Sequence, residues 1–168
     1  MPGKAIWMTG YSGSGKSAIA NEMKKVWPSL VLLDGDEVRN SLCSDLGFSI
    51  DDRFENIRRV ASVAKIFCDN GISVIVPVIC PLNDMRNLAS EIVGDSFHLI
   101  HISCPVAVCE GRDPKGLYKK ARLKEIKEFT GISSPFEEPV NCQSYETNKS
   151  FSAEELAKKV LRDVFGNI

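Results

Sequence analysis

An α/β fold, a parallel sheet with helices on both faces, is predicted by three observations. Short apolar runs at residues 4–9, 30–33, 72–79 and 97–102 alternate with stretches whose apolar residues recur at helical spacing. The runs are nearly continuous in apolar character, as strands buried on both faces are. Between the first run and the first helical stretch, residues 10–17 read GYSGSGKS, the pattern G-x-x-x-x-G-K-[ST]. With 168 residues, 43% of them hydrophobic and 26% charged, one domain is expected.

The glycine-rich stretch has a physical reading of its own. Glycines let the backbone wrap so that several N–H groups face one anion, and the helix behind adds its positive end. Lys16 can then reach β and γ phosphates, and the Ser17 hydroxyl can ligate Mg²⁺. A strand before and a helix after make this a phosphate loop rather than an incidental turn. The motif identifies a nucleoside triphosphate and leaves its fate open.

The second apolar run ends in Asp34-Gly35-Asp36. In an open α/β sheet ligands gather at the carboxyl ends of the strands, so these acids stand where a Mg²⁺ ligand or a catalytic base is wanted. They are equally suited to cap the turn that holds Val38 and Leu42. Asp51 and Asp52 open a long helix whose buried stripe is Phe54, Ile57, Val60, Ala61, Ala64, Phe67 and Cys68. Arg53, Asn56, Arg58 and Arg59 lie off that stripe, either as a solvated surface or as a fork for a phosphate or sulfate group.

Gly71 ends that helix, and residues 72–79 are the strongest strand signal, expected at the centre of the sheet with Pro77 near its end. A helix over residues 83–93 and a strand over 97–102 follow. Cys104-Pro105 starts a short helix, and residues 115–127 carry six cations: Lys115, Lys119, Lys120, Arg122, Lys124 and Lys127. After a Pro-Gly hinge such a run suits a lid, placed at about residues 112–128, that closes on phosphates. Residues 129–150 read as loop with a short edge strand near 143–146. A closing helix spans 152–165, capped by Ser152 with Glu155 three residues on, and buries Leu156, Val160, Leu161 and Val164.

Composition excludes several classes. A net charge of −1 argues against a general polyanion binder, so no nucleic-acid partner is expected. No apolar stretch reaches the length of a membrane span, and the N-terminus enters a strand without an export signal. The six cysteines form no C-x-x-C pair, and His98 and His101 sit inside an apolar strand, so no zinc site is expected. The cysteines read as reduced core residues of a cytoplasmic protein. No internal repeat or linker is evident.

Five blocks together resemble the adenylylsulfate kinase family: GYSGSGKS at 10–17, LDGDEVR at 33–39, DLGFSIDDRFENIRRV at 45–60, RDPKGLYKKAR at 112–122 and IKEFTGISSPFEEP at 126–139. The resemblance spans nearly the whole chain. It implies a P-loop kinase three-layer fold over residues 1–168 with a basic lid. It implies transfer of the γ-phosphate of ATP to the 3′-hydroxyl of adenylylsulfate, with Mg²⁺, in sulfate assimilation. On this resemblance Gly10, Ser12, Gly13, Ser14, Gly15, Lys16, Ser17 and Ala18 hold the ATP phosphates, and Arg112 and Thr147 lie near the ATP base. Ser17 and Asp34 hold the metal, and Lys16, Asp34 and Asp36 are catalytic. Asp36, Arg39, Arg53, Asn56, Arg59, Ile79, Cys80 and Lys115 hold adenylylsulfate, with Phe48 and Phe129 clamping its adenine.

The chain departs from the family pattern at Ile79-Cys80-Pro81, where the family commonly has ISP, with a serine assigned in some members as phosphorylated. A thiol is a weaker hydrogen-bonding group than a hydroxyl, which favours direct in-line transfer here. Leu82 and Asn83 replace the usual tyrosine and arginine. The family's common N-terminal extension has no counterpart in these residues, so dimer contacts that use it are not assumed; a homodimer stands as an assembly to test. A different nucleotide-anhydride acceptor, and a non-catalytic ATP-binding module, are the competing readings.

Overall fold

The computed structural model describes residues 2–148 and 150–166. Among them a five-stranded sheet has the order β2-β3-β1-β4-β5. The strands are β1 (Ala5–Thr9), β2 (Val31–Leu32), β3 (Val74–Pro77), β4 (Phe97–Ser103) and β5 (Gln143–Glu146). Every neighbouring pair is parallel. All five carboxyl ends therefore open on one edge of the sheet.

The helices are α1 (Lys16–Val26), α2 (Gly35–Asn40), α3 (Ile50–Asp69), α4 (Asn83–Val93), α5 (Val106–Arg112), α6 (Leu117–Arg122) and α7 (Ala153–Phe165). Side chains of β1 alternate across the sheet, as strand geometry requires. Ala5 and Trp7 pack with Val74 and Val76 against Val60, Ala61 and Ala64 of α3 and Met85 and Ala89 of α4. Ile6 and Met8 pack with Ile75, Ile100 and Ile102 against Ile19 and Met23 of α1 and Val160 and Leu161 of α7. This is the three-layer arrangement expected from the strand–helix alternation.

Element boundaries follow local chemistry. Ser49 caps α3 by accepting from the Asp52 N–H at 3.2 Å, one turn ahead of the acidic pair at its start. Ser152 caps α7 by accepting from the Glu155 N–H at 3.2 Å. Residues 72–79 were expected at the centre of the sheet. That place belongs to β1, and β3 is interior between β1 and β2. Both strands are fully buried apolar runs, so hydropathy alone cannot order them.

A third, smaller cluster sits beyond the sheet edge. Cys104, Cys109, Tyr118, Ala121 and Phe129 are buried together there. It anchors α6, so the cationic segment rests on a packed base while Lys119, Lys120 and Arg122 face solvent. No helix among the described residues is long and apolar enough to cross a membrane. Cys43, Cys68, Cys80, Cys104 and Cys109 are buried free thiols, Cys142 is half-buried, and no group of three or more metal-ligating side chains occurs among the described residues.

Candidate active site

Residues 10–15 leave the carboxyl end of β1 and turn directly into α1. Gly13 and Gly15 have φ of 77° and 103°, the left-handed region that favours glycine. A Cβ at Gly13 would lie 2.9 Å from the Cys109 carbonyl oxygen, and one at Gly15 would lie 2.8 Å from the Phe151 ring. The loop is thus fitted closely between α5 and the approach to α7.

Its carbonyls are all engaged from Gly10 to Ser14. Lys16 Nζ donates to Gly10 O at 2.7 Å and Tyr11 O at 2.6 Å, and lies 3.3 Å from Ser14 Oγ. Ser12 O accepts from the Tyr118 hydroxyl at 2.8 Å, Gly13 O from Arg112 Nη1 at 3.0 Å, and Ser14 O from Thr147 Oγ1 at 2.7 Å. A trans peptide places the next residue's N–H opposite each carbonyl. Holding Ser12 O and Ser14 O therefore turns the Gly13 and Gly15 N–H groups to the other side, as an anion cradle needs. Burial lowers the Lys16 ammonium to a pKa of about 8, with Lys115 adding to the effect. An anion at the loop would favour its charged form.

Asp34 follows β2 and caps α2, accepting from the Asp36 N–H at 3.0 Å. Its other oxygen accepts from Ser17 Oγ at 3.0 Å. The cap expected of Asp34 is observed, and the same carboxylate is the one expected at a metal. Adjacent oxygens around an octahedral Mg²⁺ stand about 3.0 Å apart when each bond is about 2.1 Å. The Ser17–Asp34 pair matches that spacing and offers hard oxygen donors, so these residues fit the ion. Asp36 is ion-paired with Lys115 across the edge.

On the far side of the edge lies a cationic and aromatic rim. Phe48 precedes α3 and is 63% exposed, with the Arg39 guanidinium 4.7 Å from its ring centroid and that of Arg53 at 6.0 Å. Arg39 Nη1 donates to Gly47 O at 2.6 Å. Arg53 donates to Phe48 O at 2.8 Å, Glu128 O at 2.5 Å and Thr130 Oγ1 at 3.2 Å. One guanidinium therefore holds both the Phe48 loop and the segment carrying Phe129. Phe129 itself is only 8% exposed and meets the Tyr118 ring edge-on at 4.9 Å. Asn56 was expected off the buried stripe. It is 6% exposed, and its Oδ1 has no hydrogen-bond partner among the described residues.

Three other expected site residues stand differently from a direct ligand contact. Arg59 is committed to Asp45 at 2.6 Å and Glu55 at 2.8 Å, since α3 lays it beside both carboxylates. Cys80 has φ of 42° and turns its buried thiol into the core beside Trp7. Burial pushes that thiol up to about 12, and the Trp7 N–H opposes the shift only in part. What the Ile79–Cys80 position offers the edge is backbone: the Thr9 hydroxyl bonds Ile79 O at 2.7 Å and Cys80 O at 3.1 Å.

Motif reading missed Arg86. It is buried and donates to Cys80 O at 3.0 Å, Pro81 O at 3.0 Å, Glu137 O at 2.6 Å and Asn83 Oδ1 at 2.7 Å. Its guanidinium lies over Phe136 at 5.0 Å, and the Phe136 ring packs, tilted by 35°, against Tyr11 of the loop at 4.5 Å. A lone arginine inside an otherwise apolar helical face was the signal available in the sequence.

A phosphate loop at the carboxyl edge of a parallel sheet, a carboxylate on its serine and a cationic rim opposite define a P-loop kinase. The particular family is equally plain. The family model for adenylylsulphate kinase matches residues 2–145, and the chain belongs to that family. The adenylyl-sulfate kinase of Clostridium kluyveri is 46% identical over 163 residues, covering 95% of this chain and 82% of the relative. That of Bacteroides fragilis is 48% identical over 171 residues, covering 99% and 85%. The solved Mycobacterium tuberculosis APS kinase CysC, in complex with AMPPNP and APS, superposes with a TM-score of 0.93 at 42% identity over 99% of each chain.

Proposed function

We propose that this enzyme transfers the γ-phosphate of ATP to the 3′-hydroxyl of adenylylsulfate, giving 3′-phosphoadenylylsulfate and ADP. Family membership supports the reaction, and a related structure carries an ATP analogue together with APS. The observation that carries the acceptor side is Arg53, whose one side chain joins the loops of Phe48 and Phe129. Two aromatic rings so framed suit a purine base, with Arg39 beside Phe48; Asn56, on the same helix as Arg53, lies buried with an Oδ1 that has no partner among the described residues.

The residues divide the work. The loop amides and Lys16 hold the donor phosphates, and Arg112 and Thr147 keep the loop in the required shape. Ser17 and Asp34 would hold Mg²⁺, which when bound neutralises charge on the β and γ oxygens. Asp36 orients the acceptor hydroxyl and takes its proton, once Lys115 has turned from it toward the transferring phosphoryl group. The cationic segment around α6 excludes water. Phosphate passes directly between substrates, since the thiol of Cys80 is buried and protonated.

Incubation with MgATP and a panel of nucleotide-anhydride acceptors, followed by chromatography, tests this. Adenylylsulfate should give a 3′-phosphorylated product with the highest kcat/KM of the panel. A folded protein that leaves adenylylsulfate unchanged contradicts the proposal.

A further inference from the structure

Tyr118 belongs to neither substrate site, yet it touches a wall of each. Its hydroxyl donates to Ser12 O at 2.8 Å, and its ring meets Phe129 edge-on at 4.9 Å. The side chain is 1% exposed. Its backbone is fixed as well, because the Asp113 carboxylate accepts from the Tyr118 and Lys119 N–H groups at 3.0 and 3.1 Å. These bonds tie the residue to the N-terminal end of α6, while its hydroxyl and ring reach the loop and Phe129.

We propose that Tyr118 is a positioning residue that couples occupancy of the donor site to occupancy of the acceptor site. This rests on the adenylylsulfate reading above, in which Phe129 faces the acceptor base. The coupling is mechanical. A phosphate drawn against the Gly13 N–H orients the Ser12–Gly13 peptide, because C=O and N–H lie on opposite sides of that plane. That orientation sets the direction of Ser12 O and so of the tyrosine hydroxyl. The phenol is rigid, so its ring edge moves with its oxygen and carries Phe129. In the reverse sense, a base packed on Phe129 fixes the ring and thereby the peptide that faces the phosphates. By linkage the two substrates must then strengthen each other's binding by the same factor.

Arg112 and Thr147 hold adjacent carbonyls of the same loop but make no aromatic contact with Phe129. They serve as internal contrasts. Removing either donor loosens the loop without cutting the link to the acceptor base.

The test measures adenylylsulfate dissociation constants by calorimetry, with and without a non-hydrolysable ATP analogue, for wild type, Tyr118→Phe, Phe129→Leu and Thr147→Val. Tyr118→Phe keeps the ring and removes only the hydroxyl. Wild type should bind adenylylsulfate at least about fivefold more tightly when the analogue is present. Tyr118→Phe and Phe129→Leu should bring that ratio below about twofold, whereas Thr147→Val should weaken the analogue and leave the ratio intact. Phe129→Leu decides the matter if Tyr118→Phe folds poorly. A wild-type ratio near one, or an unchanged ratio in both aromatic variants, overturns the coupling. Failure of wild type to phosphorylate adenylylsulfate is a separate result, and it contradicts the acceptor reading instead.

Discussion

The Ser17 hydroxyl donates to an Asp34 carboxylate oxygen across 3.0 Å, joining the first turn of α1 to the residue that caps α2. Asp34→Asn can keep the cap through its amide oxygen, but it removes the negative charge and puts an NH₂ group in place of one carboxylate oxygen. It should lower kcat on the order of 100-fold, and raise the Mg²⁺ concentration needed for half-maximal rate. Steady-state kinetics over a magnesium titration checks this.

Phe48 and Phe129 were grouped as one clamp, yet they carry different loads. Phe48 is exposed, so Phe48→Ala should leave thermal stability unchanged and raise the KM for adenylylsulfate about tenfold, as loss of one base contact would. Phe129 is buried against Tyr118, so Phe129→Ala should also cost about 3 kcal/mol of stability. Thermal melts run beside kinetics separate the two.

Cys80 should not form a phosphoenzyme. Cys80→Ser should keep kcat/KM within about threefold of wild type, since in-line transfer needs no covalent residue. Intact-mass measurement during turnover should find no added phosphate in either protein. A thiol reagent should modify wild type at Cys80 only after unfolding.

Arg86 ties the end of β3 to residues 136–138 through three carbonyls. Arg86→Met keeps an unbranched apolar stem, removes the guanidinium and strands those acceptors. It should destabilise the fold by on the order of 3 kcal/mol, read as a lower urea midpoint. The effect should exceed that of removing the exposed Arg58, whose pair with Glu55 is solvated.

His101 sets an acid limit. Burial lowers its pKa from 6.5, Arg86 and Lys16 add to the effect, and Glu138 opposes it. The unfolded chain therefore takes up this proton at a higher pH than the folded one. Its contribution to stability is present above pH 6.5 and is lost as pH falls through the lowered folded value. The melting temperature should decline from pH 7 toward pH 5, and His101→Gln should flatten that slope. The exposed carboxylates held low by arginines, Glu55 and Glu110, titrate below this window.

Much of the fold was legible because it is local. Apolar patterning placed β1, the helix at Asn83–Val93 and the strand from Phe97 close to their observed bounds, and the short edge strand expected within the polar loop is found at Gln143–Glu146. The cap of the last helix at Ser152 was legible for the same reason. The phosphate loop, the acidic pair and the arginine-rich helix each announced themselves by residue type and spacing.

By itself, then, the sequence determined the elements, the direction of the sheet and the kinds of groups gathered at its open edge. Only the tertiary structure decided what those groups touch. Tyr118 reaches Ser12 from 106 residues away and Thr147 reaches Ser14 from 133. Arg59 was diverted to Asp45, Cys80 was turned into the core, and Asn56 was buried with an oxygen unpaired among the described residues. Spacing along a chain specifies which residues share a face. Which partner satisfies a polar group is settled by packing, since a buried donor or acceptor takes whatever distant atom the fold brings within 3 Å or so.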